Sequence, residues 1–172
     1  MSYSFVKNSA NNQTVEETQL IMVYELGKVF ECLYDKRELS GYREFARTEL
    51  ADFISMSRML CEQVGWNYDN MITSNSNIFV NTREQLLVKM QILLGKIIRG
   101  LHYKKRFDDY RGDSPDICMQ CLVDQTRWLC GLLLFDFWEV VELGELRYIE
   151  RMHDLMSNGI KSQLKEEFRG KE

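Results

Sequence analysis

The 172-residue chain has one proline, two histidines and no long apolar run. With so little proline, helices are not interrupted, and the alternation of β-branched residues that would mark strands is missing as well. Leu, Met, Glu, Lys and Arg dominate, all good helix formers, so the expected class is all-α. The most apolar stretch, "WLCGLLLFDFW" from Trp128 to Trp138, is too short to span a bilayer and carries Asp136, so it reads as a buried helix and excludes a membrane protein. "MSYSFVKNSANNQ" lacks the apolar segment of a secretory leader. Together with five cysteines, an odd number, this points to reduced thiols and a cytoplasmic protein. The net charge is -4, and Lys104-Lys105-Arg106 is the only basic cluster of note, which argues against a nucleic-acid partner. Cys118 and Cys121 form a lone CxxC, short of the roughly four ligands of a zinc site, and are expected to be small buried helix residues. His102 and His153 belong to no motif.

Four helices and an extension are expected from the punctuation. Met1 to Gln13 is polar and reads as a flexible tail. Thr14-Val15-Glu16-Glu17 is a capping box that opens a first helix to about Lys36. Ser40-Gly41 breaks the chain, and a second helix runs from Tyr42 to about Val64, stopped by Gly65. "WNYDNMITSNSNIFVN" is an asparagine-rich connector. Thr82-Arg83-Glu84-Gln85 is another capping box, opening a third helix to about Lys105, and "DDYRGDS" is a loop. Ser114-Pro115 starts a fourth helix that reaches about Val141. Residues 142–172 are amphipathic and charged, and read as one or two peripheral helices broken near Gly159.

The pattern repeats. Met22 to Lys36, "MVYELGKVFECLYDK", aligns without gaps against Met90 to Lys104, "MQILLGKIIRGLHYK", with six of fifteen positions identical. The helices that follow align more loosely, with "ELAD" (Glu49 to Asp52) over "CLVD" (Cys121 to Asp124). Two related helical hairpins, 14–71 and 72–141, would then pack as a four-helix bundle, with 142–172 as a C-terminal extension.

Acids lie where apolar side chains belong. At about 100° per residue, Phe45, Phe53, Met56 and Leu60 fall near Glu49 on the second helix, and Asp52 lies on the same broad face. Arg47, Arg58 and Glu62 fall opposite, on the expected solvent side. On the first helix Glu25 lies among Ile21, Met22, Val29 and Cys32, flanked by Lys28. An unpaired buried carboxylate costs several kcal/mol or a large upward pKa shift, so a compensating charge is required. One solution is an ion pair in which Lys28 neutralises Glu25 or Glu49. The other is a Mg²⁺ ion, which binds through a few carboxylates and leaves room for a phosphate substrate.

"ELGKVFECL" and "ELADFISMSRMLCEQVGWNYDNM" resemble the two motifs of the MazG-like, all-α nucleotide pyrophosphohydrolases, a superfamily that includes dimeric dUTPases and phosphoribosyl-ATP pyrophosphatases. Their signature is ExxE on one helix and ExxD on the next, then an apolar stretch ending in glycine. The resemblance covers about Leu20 to Met71. It implies that Glu25, Glu49 and Asp52 are Mg²⁺ ligands and catalytic residues, and that a nucleoside triphosphate is hydrolysed to a monophosphate and pyrophosphate. Lys28 stands where the family has its second acid. There it would grip a substrate phosphate, or else replace the metal and leave a lapsed nucleotide-binding or protein-interaction module. At the positions of Glu25 and Glu49 the second half has Leu93 and Cys121, and retains only Lys96 and Asp124. That half would be structural, with one metal site at most. Family sites form where helices of two subunits meet, so the expected assembly is a homodimer or a monomer that forms a pseudo-dimer internally.

Overall fold

The computed structural model describes residues 13–34, 41–72, 82–104 and 111–169, the last as backbone alone at 155–156 and beyond 158. Every regular element among the described residues is helical: α1 (Val15–Tyr34), α2 (Tyr42–Gln63), α3 (Tyr68–Met71), α4 (Arg83–Lys104), α5 (Pro115–Leu132) and α6 (Phe137–Arg169). No helix among them is long and apolar enough to cross a membrane. Both capping boxes form. The Glu17 N–H donates to Thr14 Oγ1 at 3.1 Å and the Thr14 N–H to Glu17 Oε2 at 2.7 Å. At the head of α4 the Gln85 N–H donates to Thr82 Oγ1 at 3.3 Å and the Thr82 N–H to Gln85 Oε1 at 3.0 Å. Gln13, expected in the tail, is tied down. Its Nε2 donates to Thr18 Oγ1 at 2.8 Å, and its carbonyl accepts from Gln63 Nε2 at 2.9 Å. Positions 1–12 lie outside the described residues.

The fourth helix does not reach Val141. α5 ends at Leu132, where the Phe135 N–H turns back to the Cys130 carbonyl at 2.9 Å and Leu134 adopts a left-handed φ of 60°. Asp136 is therefore no charge inside a buried helix. It caps α6, accepting from the Trp138 and Glu139 N–H groups at 2.9 and 3.1 Å. Apolar composition concealed this turn because Leu133 and Phe137 on either side of it are buried. The end of α2 is built alike. The Trp66 N–H reaches the Cys61 carbonyl at 2.7 Å, Gly65 has φ 78°, and Asn67 Oδ1 accepts from the Asn70 N–H at 3.1 Å. The connector after Gly65 thus holds α3, with Tyr68 and Met71 buried, while its residues 73–81 lie outside those described. α6 continues through Gly159, since one glycine costs a helix only about 1 kcal/mol.

α1 lies along α2 and α4 along α5, while α6 packs extensively on α2. A single apolar cluster, including Leu26, Phe53, Leu60, Leu94, Leu129 and Val140, connects them. The segment expected as a peripheral extension from residue 142 continues the helix whose Phe137, Val140 and Val141 enter this core, and its own Leu143 and Tyr148 pack against it. Between Leu50 and Cys61, α2 is buried on nearly every side, which is why a one-sided helical stripe misplaces two residues. Arg58, expected in solvent, lies beneath α6 and pairs with Glu145. Phe45, expected in the core, precedes the buried stretch and is exposed. The approach of α6 depends on Gly144. A Cβ there would overlap the Ala51 carbonyl oxygen and the Ser55 hydroxyl, which themselves form a 3.1 Å hydrogen bond.

Gly144→Ala should therefore destabilise by about 1–3 kcal/mol, as overpacking does, despite alanine's better helix propensity. Gly27→Ala, where an added Cβ meets nothing within 4 Å, should stabilise by roughly 0.5–1 kcal/mol. Urea denaturation midpoints of the two variants should move in opposite directions, and a shift of the same sign would contradict the close crossing.

Candidate functional site

Glu25 from α1 meets Glu49 and Asp52 from α2, and one carboxylate oxygen of each lies within 4.8 Å of the other two. The ELAD spacing places Glu49 and Asp52 on adjacent turns of one face, and the packing of α1 along α2 brings Glu25 to them. Glu25 and Asp52 are each only 4% exposed. Lys28, one turn beyond Glu25, serves two acids: its Nζ lies 3.4 Å from Glu25 Oε2 and forms an ion pair with Glu49. The ammonium also sits 5.4 Å from the centre of the Tyr24 ring.

Two further bases come from α6. Arg147 Nε donates to Asp52 Oδ1 at 2.9 Å and its Nη2 to Oδ2 at 3.0 Å, a bidentate pair. Arg151 Nη2 donates to the same Oδ2. Three carboxylates thus face three bases (Lys28, Arg147 and Arg151), and the formal charge of the group cancels. Sequence reasoning missed the arginines because they lie 95 and 99 residues from Asp52. Two signals pointed to them: three buried acids call for more than one lysine, and Arg147 and Arg151 continue the stripe of Val140 and Gly144 at helical spacing.

Burial raises the Glu25 pKa above its ordinary 4.5; Lys28 opposes the shift, and the charges of Asp52 and Glu49 add to it. For Lys28, burial pulls the pKa down, but contact with Glu49 and the fields of Glu25 and Glu49 outweigh it and leave the pKa raised. The hydrogen bond to Asp52 raises Arg147 likewise, against its burial. Lys28 and Arg147 are therefore cationic at neutral pH.

In donor type and convergence the three carboxylates could hold a metal ion. The bases are what compete with such an ion. Their side chains are 29% (Lys28), 32% (Arg147) and 48% (Arg151) exposed, against 4% for Asp52. Long basic side chains with solvent-reaching heads can swing aside while the acids stay in place. Among its described residues the second half presents nothing similar. Leu93 is partly buried, Lys96 pairs with Asp113 at 2.6 Å, Cys121 is half-buried and Asp124 is buried. All five cysteines are reduced, none of them in a disulfide. Burial pushes the Cys118 and Cys121 thiols above their ordinary pKa, the reverse of an activated pair.

Lys28→Met would leave three carboxylates facing two guanidiniums. Stability at neutral pH should fall by about 2–3 kcal/mol, less than the ~3–5 kcal/mol of a fully buried pair because Lys28 keeps partial solvent access. Glu25 has a folded-state pKa above 4.5, so proton uptake favours the fold as pH falls. The gap to the unsubstituted protein should therefore narrow between pH 7 and pH 5, and a constant or widening gap in denaturation curves would refute the assignment.

No protein-family model matches the chain, and neither a curated protein nor a solved structure is significantly similar to it.

Proposed function

We propose that the chain is a Mg²⁺-dependent nucleoside triphosphate pyrophosphohydrolase acting through Glu25, Glu49 and Asp52. The observation that carries this reading is the convergence of three largely buried carboxylates from two neighbouring helices, in the motif order of the MazG-like enzymes. A Mg²⁺ ion held by these acids would offset substrate charge and polarise a phosphoryl oxygen. Lys28 supplies a mobile point charge for a phosphate, and a carboxylate not engaged by the ion accepts a proton from the attacking water. Glu25 and Asp52 are almost wholly withdrawn from solvent, which strengthens each charge interaction.

The same proposal treats α1–α2 and α4–α5 as two hairpins of a duplicated four-helix core, spanning 14–71 and 72–141, in a cytoplasmic protein that acts as a homodimer or as an internal pseudo-dimer. The paired capping boxes and the two similar helix ends support the duplication. Aligned on those ends, Cys61 matches Cys130, and Cys118 and Cys121 then match Glu49 and Asp52. This register differs by one turn from the alignment of ELAD with CLVD, and leaves the second half no acid at either position.

The charge balance favours a second reading, a lapsed relative whose acids are neutralised by Lys28, Arg147 and Arg151 and which serves as a binding module. Incubation with Mg²⁺ and a panel of nucleotides separates the two. Monophosphate plus pyrophosphate is expected from at least one triphosphate, whereas orthophosphate as first product, or no turnover across the panel, would reject the enzyme. Lys28→Glu restores ExxE and moves the group from neutral to a net charge of about minus two, the complement of a divalent ion. It should show a larger Mg²⁺-induced rise in melting temperature than the unsubstituted protein, and the metal reading fails if Mg²⁺ stabilises neither.

The asymmetry of the halves has its own test. Asp52→Asn should weaken Mg²⁺ binding in a calorimetric titration, while Asp124→Asn leaves it nearly unchanged. Equal losses would place metal in both halves.

A further inference from the structure

Asp52 is held by more cation than a carboxylate requires. One guanidinium satisfies a carboxylate in bidentate geometry, and Arg147 already does so with contacts of 2.9 and 3.0 Å. Arg151 donates to the same oxygen from the next turn of α6. Gly144 sets α6 close against Ala51 and Ser55 of α2, so both guanidiniums are anchored over the acid group. Solvent reaches the two arginines, 32% and 48% exposed, but barely reaches Asp52 at 4%. From this arrangement we infer that Arg147 and Arg151 form a binding site for a phosphoanhydride chain, and that Asp52 occupies the phosphate's seat when no ligand is bound.

The planar fork that grips two carboxylate oxygens grips two phosphate oxygens equally well, and a phosphate brings more charge. Glu150 and Asp154, three residues beyond each arginine, are exposed, where solvent and salt screen their repulsion. Ligand capture frees Asp52 to join Glu25 and Glu49. Phosphate and divalent cation should then each strengthen binding of the other, as reciprocal linkage requires. The ligand class rests on the pyrophosphohydrolase reading, but binding does not depend on turnover.

The test is calorimetric titration of the whole chain with inorganic pyrophosphate, with chelator present to exclude metal. The unsubstituted protein should bind, and Arg151→Gln and Arg147→Lys should each weaken binding by roughly tenfold or more. Asp52→Asn should tighten it several-fold, because the internal competitor loses its charge; a merely structural role for the pair cannot produce that gain. Arg47→Gln, an arginine paired elsewhere with Glu139 at 3.4 Å, should change nothing. Arg151 is half-exposed, so its variant keeps the test open if the Asp52 variant does not fold. A nucleoside triphosphate that binds more tightly than pyrophosphate would identify a nucleotide as the source of the chain. Absence of pyrophosphate binding, an unchanged affinity in Arg151→Gln, or weaker binding in Asp52→Asn overturns the proposal. Intact binding without turnover sinks the enzyme and leaves the phosphate site; turnover with unchanged affinity in Arg151→Gln does the reverse.

Discussion

Glu25, Glu49 and Asp52 can share the space between α1, α2 and α6 because Lys28, Arg147 and Arg151 share it with them. Each acid left alone at that burial would cost several kcal/mol or take up a proton. The bases are recruited from different distances: Lys28 comes from the turn after Glu25, while the arginines arrive through the crossing of α6 over α2. That crossing depends on a missing side chain at Gly144, on the Arg58–Glu145 and Arg47–Glu139 pairs beside it, and on burial of Val140 and Val141. Backbone approach and charge compensation are thus one arrangement, because α6 displaced from Ala51 would also withdraw the guanidiniums from Asp52.

Local chemistry was legible in the sequence and long-range chemistry was not. The two capping boxes, the stop at Gly65 and the meeting of Glu25 with Glu49 and Asp52 follow from spacings of three or four residues and from neighbouring helices joined by a short connection. The turn inside "WLCGLLLFDFW" was hidden because its flanking side chains point inward, so hydrophobicity stays high while the backbone reverses. Leu134 fills the left-handed position where Gly65 stands in the earlier turn, which removed the usual glycine cue. Arg147 and Arg151 were missed for another reason. Helical spacing shows that they share a face, but not what that face covers, and α2 is too fully buried for a one-sided stripe to indicate which neighbour lies where.

Under the duplicated reading, the two halves show what becomes of an acid site when its partners change. With Leu93 in place of Glu25, and Cys118 and Cys121 in place of Glu49 and Asp52, the matching positions hold no carboxylate, and Lys96 pairs with Asp113. The thiols are neutral, because burial raises their pKa, and so they require no counter-charge. Replacing acids by neutral side chains removes the need for a compensating helix, and α5 accordingly makes few contacts with α6, whereas α2 makes many. The acid-bearing helix is the one that α6 covers.

Enzyme and lapsed module then differ in what displaces the bases, not in which residues are present. A neutral group offers a lone divalent cation little attraction, since its charge must first overcome the bases already in place. On the proposed reading, a phosphate chain would change that by drawing the guanidiniums away from Asp52, leaving Glu25, Glu49 and Asp52 against Lys28 alone, a net charge of about minus two on these four groups. The cation would thereby be favoured where its substrate already lies, and a site built this way would hold free metal more weakly than metal that arrives with the anion. If no anion loosens the arginines, the same six groups remain a buried salt-bridge network, whose contribution is to fix how α6 sits on α2.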